Sequence, residues 1–427
     1  MRKALTTLTT LLGLVVLSAW LDTPAFGQPS NSTNRQLALV GGTIYASPTQ
    51  EPMRDGVVLI EDGKIAAVGS RASVRIPRGI QTIDCSGLTI TAGFWNSHVH
   101  FLQRKWADAA SVPANELSRQ LQAMLTQYGF TSVFDTWSMW ANTRRLRDRI
   151  ESGEIPGPRI RSTGEAMVPK GLTTTAAGWA SLGFMGLDEF QIARPGDASE
   201  ALAASKKLLD AGTDGIKFYA ATPGRSGVVM EESVIEAGVK EAHRRGKPVF
   251  AHPSSGAGLV ASVRAGVDVL AHTTPQSGPW DESVLAAMKQ AAVALIPTLK
   301  LWRYEFRHER ISLADGFVET AVGQLRAWLR SGGVVLFGTD VGYMSEYDPT
   351  EEYVLMAEAG MSFRQILASL TTAPAERFGA SKQLGRINPG LAADLTVLRN
   401  DPSKDIRAFA TVQYALRDGK IIYGVPR

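Results

Sequence analysis

At 427 residues the chain has room for two to three domains of about 150 residues, or for one α/β barrel of about 250 residues with a smaller module. Its 44% apolar and 20% charged composition excludes a disordered or low-complexity protein, and a formal charge of +4 without a basic run leaves no footprint for nucleic acid. The single cysteine, Cys85, excludes an intrachain disulfide and a cysteine-based zinc site, and a metal centre would have to draw on most of the six histidines.

The first element is a leader. Residues 1–27 carry Arg2-Lys3, an apolar stretch Leu11–Leu21 and Ala25-Phe26-Gly27 before Gln28. This is the pattern of a secretory signal peptide, and the apolar stretch is too short for a bilayer span. Its removal predicts a secreted protein, periplasmic or extracellular, with no stable membrane anchor. Residues 28–91 follow, where Leu37–Val40, Gly56–Ile60 and Lys64–Val68 read as strands. Asp62-Gly63 between two apolar runs signals a tight hairpin. The C-terminal stretch 383–427 repeats this style with Asp394–Leu398, Val412–Leu416, Asp418-Gly419 and Ile421–Tyr423. Both chain ends are therefore expected to build one small β-sandwich module.

Residues 92–382 alternate short apolar strands with amphipathic helical stretches. Eight strands are predicted: Phe94–Phe101, Thr131–Trp137, Arg159–Ala166, Gly215–Ala220, Pro248–His252, Val267–His272, Ala294–Leu299 and Val334–Asp340. Near-continuous apolar strands between helices indicate a parallel sheet buried on both faces. Eight such units, with no glycine-rich phosphate loop after the first strand, fit a closed (β/α)8 TIM-like barrel of the α/β class. The stretch Val168–Asp197 interrupts the alternation after the third strand, and a loop of that length is expected to serve function.

The chemistry concentrates at the strand ends. His98 and His100 are two residues apart on the first strand, so they share a face. Lys217 lies on the fourth strand, His252 closes the fifth, His272 the sixth and Asp340 the eighth. Barrel active sites form at the C-terminal ends of the strands, so these six groups converge there. Singly, each histidine reads as a hydrogen-bonded structural residue and Asp340 as a helix cap; six corresponding positions together read as a metal centre. The other two histidines, His243 and His308, fall on charged helical stretches and read as surface groups. An ammonium repels a metal, so Lys217 contributes only as a neutral amine or as a carbamate formed with carbon dioxide. The alternative is an ordinary lysine paired with Asp214 or another acid.

The ordered set resembles the amidohydrolase superfamily, in particular its imidazolonepropionase-like and prolidase-like metal-dependent hydrolases. It comprises Gly93-Phe94-Trp95-Asn96-Ser97-His98-Val99-His100, Gly129–Asp135, Gly212–Lys217, Ala251-His252, Leu270-Ala271-His272, Gly338-Thr339-Asp340 and the run from Ala373 to Leu395. The resemblance covers essentially the whole chain after the leader. It implies two divalent metal ions, zinc first and manganese second. His98 and His100 would hold one metal with Asp340, His252 and His272 the other, and a CO2-derived carbamate on Lys217 would bridge them. A metal-bridging hydroxide would attack the carbonyl, with Asp340 as the catalytic proton shuttle. Three departures stand out. Asn96 replaces the usual aspartate, Glu165–Lys170 lacks the Gly-His pair common in prolidase-like members, and Thr273-Thr274-Pro275 replaces the usual glycine after His272.

For the substrate, Tyr219 and Arg225 could hold a carboxylate, and Trp137, Trp140 and Trp179 could form an apolar wall. Lys300 and Tyr343 are weaker candidates. The leading expectation is a secreted metal-dependent amidohydrolase cleaving a C–N amide bond in a dipeptide or N-acyl amino acid, with a small-molecule amide as its partner. A cyclic-amide hydrolase or deaminase is the rival on the same barrel, and an esterase stays open. From another class, a non-catalytic metal-binding barrel is the alternative. A homo-oligomer is compatible with all of these.

Overall fold

The computed structural model describes residues 36–170, 192–222, 227–307 and 311–424. The leader, Trp179, Arg225 and His308 lie outside the described residues. The chain enters through β1 (Gln36–Tyr45), β2 (Met53–Glu61), β3 (Lys64–Ser70), β4 (Gln81–Asp84) and β5 (Thr89–Ala92). Asp62 and Gly63 turn β2 into β3 with φ of 48° and 79°, pairing Glu61 with Lys64. Two consecutive positive φ values match the right-handed twist of the strands, which is why the sequence places Asp-Gly there.

Eight parallel strands follow among the described residues: β6 (Phe94–Val99), β7 (Phe130–Asp135), β8 (Arg159–Ser162), β9 (Ile216–Tyr219), β10 (Val249–His252), β11 (Val269–Ala271), β12 (Ala294–Ile296) and β13 (Val334–Val335). Each falls on a predicted strand. They form two arcs, β6-β7-β8 and β9-β10-β11-β12-β13. Bridges join the arcs at both seams, Met167 with Phe218 and Val99 with Val341. Met167 N–H donates to Lys217 O at 2.9 Å at one seam, and Asp340 N–H donates to His98 O at 2.9 Å at the other. These contacts join the arcs into a ring.

The lumen is packed rather than open. Trp95, Phe134, Phe250, Val269, Ile296 and Leu336 fill it from successive strands, and Phe378 enters from the C-terminal side. Phe134 lies 4.6 Å from Phe250 and 4.9 Å from Phe378 between ring centroids. Full burial of each such ring contributes about 1.5–3 kcal/mol, so this layer forms a rigid floor beneath the barrel mouth. Between barrel and helices a second core runs through residues such as Phe130, Leu121, Ile216, Leu295 and Trp328.

The chain then returns to the first sheet with β14 (Leu395–Leu398), β15 (Val412–Arg417) and β16 (Lys420–Gly424). The strands of both ends hydrogen-bond as one mixed sheet, in the order β16-β15-β14-β5-β1-β2-β3, with β4 also on β1. Leu39, Ile60 and Ile65 share a core with Val397 and Leu416, so the two wings of the sheet face each other. The sheet meets the barrel at the starts of its strands: Gly93 N–H donates to Asp394 O at 2.8 Å, and Arg159 ion-pairs with Asp394 at 3.1 Å. The mouth at the opposite ends is left to the loops. Arg35–Arg427 pack as one compact unit, and no helix among the described residues is long and apolar enough to cross a membrane.

Candidate active site

One irregularity in β6 decides where the first two histidines point. Trp95 faces the lumen, so strict alternation would turn His98 outward. Between Asn96 and Val99, however, β6 advances three residues while β7 advances two, from Val133 to Asp135. The extra residue is a β-bulge, which re-aims the strand end and brings His98 and His100 to one point. Asn96 fixes this distortion from within the core. Its amide donates to Thr339 Oγ1 at 2.7 Å, and its carbonyl oxygen accepts from Thr339 N–H at 3.2 Å. The residue that departs from the family pattern thus ties the first strand to the eighth.

His98 Nε2 and His100 Nε2 approach to 3.1 Å, and both face the Asp340 carboxylate, at 3.3 and 2.8 Å. His272 Nε2 lies 3.9 Å from the other Asp340 oxygen. The ligand atoms of His98, His272 and Asp340 all fall within 4.8 Å of one another. His252 joins through its ring, 4.5 Å from His272 and stacked on Tyr219 at 4.4 Å and 12°. Trp137 closes this row edge-on against Tyr219 at 5.0 Å. His272 and Asp340 both hold positive φ, 77° and 62°, a strained backbone that clusters at functional sites. At the turn beyond Asp340, a Cβ on Gly342 would fall 1.8 Å from His100 O, so only glycine fits there.

The outer nitrogens fix the tautomers. His100 Nδ1–H donates to Trp137 O at 2.8 Å, which leaves Nε2 as a bare lone pair. Thr298 donates its hydroxyl proton to Pro297 O at 2.8 Å, so its oxygen accepts from His272 Nδ1–H at 2.6 Å. Nε2 of His272 is then bare as well. Burial, followed by the Lys217 charge, lowers His98 to about 3, and burial carries His252 and His272 well below the ordinary histidine value. Burial pushes the Asp340 carboxyl up, but the surrounding histidines outweigh it and hold the group well below the usual carboxylate range. Burial thus favours the neutral imidazole at His98, His252 and His272, and the site favours the ionised carboxylate at Asp340. His100 Nε2, Nδ1–H being spent on Trp137 O, and an Asp340 oxygen converge at 2.8 Å, as two ligand atoms do around a cation. The donor set therefore fits a metal.

Lys217 is 1% exposed, and burial lowers its ammonium to about 7 against the charges of Asp340 and Asp135. Asp214, the acid that could have claimed it, pairs instead with Arg147 at 2.8 Å. His243 pairs with Asp268 at 2.8 Å on the surface, away from the mouth. Trp140 packs outside the pocket, with its indole N–H on Ala211 O at 2.9 Å and Arg147 over its ring. Lys300 is used structurally, donating to Glu346 O and Asp348 O at 3.0 and 2.9 Å. Two supports escape the sequence reading. Thr298 orients His272, and Asp135 accepts from Ser138 and Ser162 at 2.6 and 2.7 Å, bracing the turn whose Trp137 carbonyl holds His100. Only the Asp135 position carried a signal, as the strand-end acid of Gly129–Asp135.

The chain matches the family model described as Amidohydrolase family over residues 89–425. It is 25% identical over 423 residues to an ochratoxinase from Aspergillus niger, covering 88% of this chain and 84% of the relative. It is 24% identical to an adenine deaminase from Moorella thermoacetica, covering 86% of this chain and 54% of that protein. Among solved structures, a prolidase in complex with N-methylphosphonate-L-proline superposes with a TM-score of 0.72 at 26% identity, covering 91% of this chain and all of that one. A match of that extent, on a barrel whose mouth gathers these imidazoles and one carboxylate, places the protein in the amidohydrolase family, as a hydrolase of carbon–nitrogen bonds.

Proposed function

We propose that the protein is a secreted, metal-dependent amidohydrolase that cleaves the amide bond of dipeptides or N-acyl amino acids. The observation that carries this reading is the pair of bare imidazole nitrogens turned on an ionised, buried Asp340. His98, His100 and Asp340 would hold one divalent cation and His252 and His272 a second, zinc before manganese. Lys217, as the carbamate, would supply the shared anion; its amine adds to the carbon of CO2 and releases one proton to solvent. Such cations lower the pKa of water and polarise a carbonyl.

The chain's own groups do the rest. Asp340 accepts the proton of the attacking water and returns it to the leaving nitrogen, a role supported by its second oxygen, which lies 3.9 Å from His272 Nε2 and away from the His98 and His100 contacts of the first. Tyr219 and Trp137 wall the pocket next to His252. Arg225 is proposed for a substrate carboxylate and Trp179 for the apolar wall. The names prolidase and ochratoxinase among the relatives support an amide substrate. The likeness to an adenine deaminase favours a second reading, a deaminase or cyclic-amide hydrolase.

Screening dipeptides, N-acyl amino acids and cyclic amides against the zinc-loaded protein tests the reading. Release of an amino acid is expected; release of ammonia or ring opening alone would transfer the assignment to the second reading. Lys217→Ala is expected to reduce the bound metal from two equivalents to one or fewer, measured by elemental analysis. Unchanged metal content would refute the bridging role. Export predicts a mature protein beginning at Gln28, which intact-mass measurement of the secreted chain checks.

A further inference from the structure

One acid on the segments that follow the barrel strands is not used by the metal reading. Glu305 ends the helix Leu299–Glu305, which follows β12, and Tyr343 lies three residues beyond Asp340. The Tyr343 hydroxyl donates to Glu305 Oε1. Tyr304 stands edge-on to Tyr343 at 6.3 Å; of the two nearest cations in sequence, Arg303 pairs with Asp315 and Glu351 at 2.6 and 2.7 Å, and Arg307 lies over the Tyr304 ring at 3.6 Å. Among the described residues no lysine, arginine or histidine forms an ion pair with Glu305 within 4.0 Å. The carboxylate is solvent-accessible, yet the protein around it pushes its pKa up; the Tyr343 bond opposes that, the Asp340 charge adds to it and the Arg307 charge opposes it again. Burial raises the Tyr219 and Tyr343 phenols, and the Asp340 and Glu305 charges add to it. Glu305, on the helix that follows β12, and Tyr343, in the turn after Asp340, thus meet on the side of the barrel where the strands end.

We infer that Glu305, aligned by Tyr343, receives the protonated α-amine of the substrate's acyl residue, so that the enzyme selects dipeptides with a free N-terminus over N-acyl amino acids. The inference rests on the amide-hydrolase reading and narrows its substrate class. A carboxylate held by a phenol O–H keeps its remaining lone pairs for one more donor, and a charge-assisted bond to an ammonium is the strongest available. The Glu305 charge itself also disfavours an acidic acyl group relative to a cationic one. Glu305 is a specificity residue; Tyr343 positions it.

The test compares alanyl-phenylalanine with propionyl-phenylalanine, which differ only by the ammonium, on the zinc-loaded protein. The wild-type protein is expected to favour the dipeptide in kcat/KM by about tenfold or more. Glu305→Gln keeps an acceptor for Tyr343 and removes the charge. It is expected to lower kcat/KM for the dipeptide about tenfold more than for the propionyl compound, mainly through KM. Glu305→Asp, which retains the charge, is expected to keep part of the preference. Equal losses on both compounds, or a wild-type preference for the propionyl compound, would overturn the assignment while leaving the amide-hydrolase reading intact. No turnover of either compound, together with only ammonia release or ring opening in the screen above, overturns both.

Discussion

His100 and His272 each spend one ring nitrogen on an oxygen outside the site, and that choice leaves the other nitrogen available as a ligand. A side chain that fixes a tautomer is worth about 10–100-fold in metal affinity. Thr298→Val removes the acceptor for His272 Nδ1–H while keeping a β-branched shape at a φ of 45°. The variant is expected to fold and to lose metal to a chelator at about tenfold lower chelator concentration than the wild type. Equal chelator resistance would mean that Thr298 only packs. The ligand histidines were legible at this scale because a strand end is a short-range property. Thr298 was not, because its role depends on two strands meeting.

At the scale of elements, strands and hairpins were legible wherever composition alone decides. Most of the barrel strands are short apolar runs buried on both faces, with Arg159 and Arg161 on β8 and the exposed Val334 on β13 as exceptions, and the Asp-Gly turns allow little else. The bulge in β6 was illegible, since it is a mismatch between β6 and β7 and neither strand records it alone. The anchor of the helix Leu299–Glu305 was equally hidden: buried Glu352, 53 residues from Leu299, accepts from Leu299 N–H and Lys300 N–H at 2.9 and 2.8 Å. Burial pushes Glu352 up to about 7 from 4.5. The folded state therefore holds this proton more tightly than the unfolded chain does. That contribution is complete below about pH 4.5 and is lost as the pH rises through about 7, on the order of 3 kcal/mol in all. Glu352→Gln does not titrate. Its destabilisation relative to wild type, read from denaturant melts, is expected to shrink between pH 4.5 and 7.5. A pH-independent difference would contradict the buried, protonated state.

At the scale of the whole molecule, barrel and sheet are joined at the end away from the chemistry. Arg159 bridges buried Asp394 and Asp418, and Arg417 reaches Glu151. Arg159→Ala would leave Asp394 buried without its cation, at a cost of about 3 kcal/mol. A lower unfolding midpoint with undiminished metal content is the expected result; loss of metal would mean that the sheet shapes the mouth. Scarcity of histidine made the site readable. Of six, four gather at the strand ends, one pairs on the surface and His308 lies outside the described residues. The account as a whole rests on those four, with Lys217 and Asp340, being one metal centre. Elemental analysis of protein purified without added metal tests this most directly. About two equivalents of divalent metal per chain are predicted, whereas less than one equivalent, not restored by zinc or manganese, would contradict it.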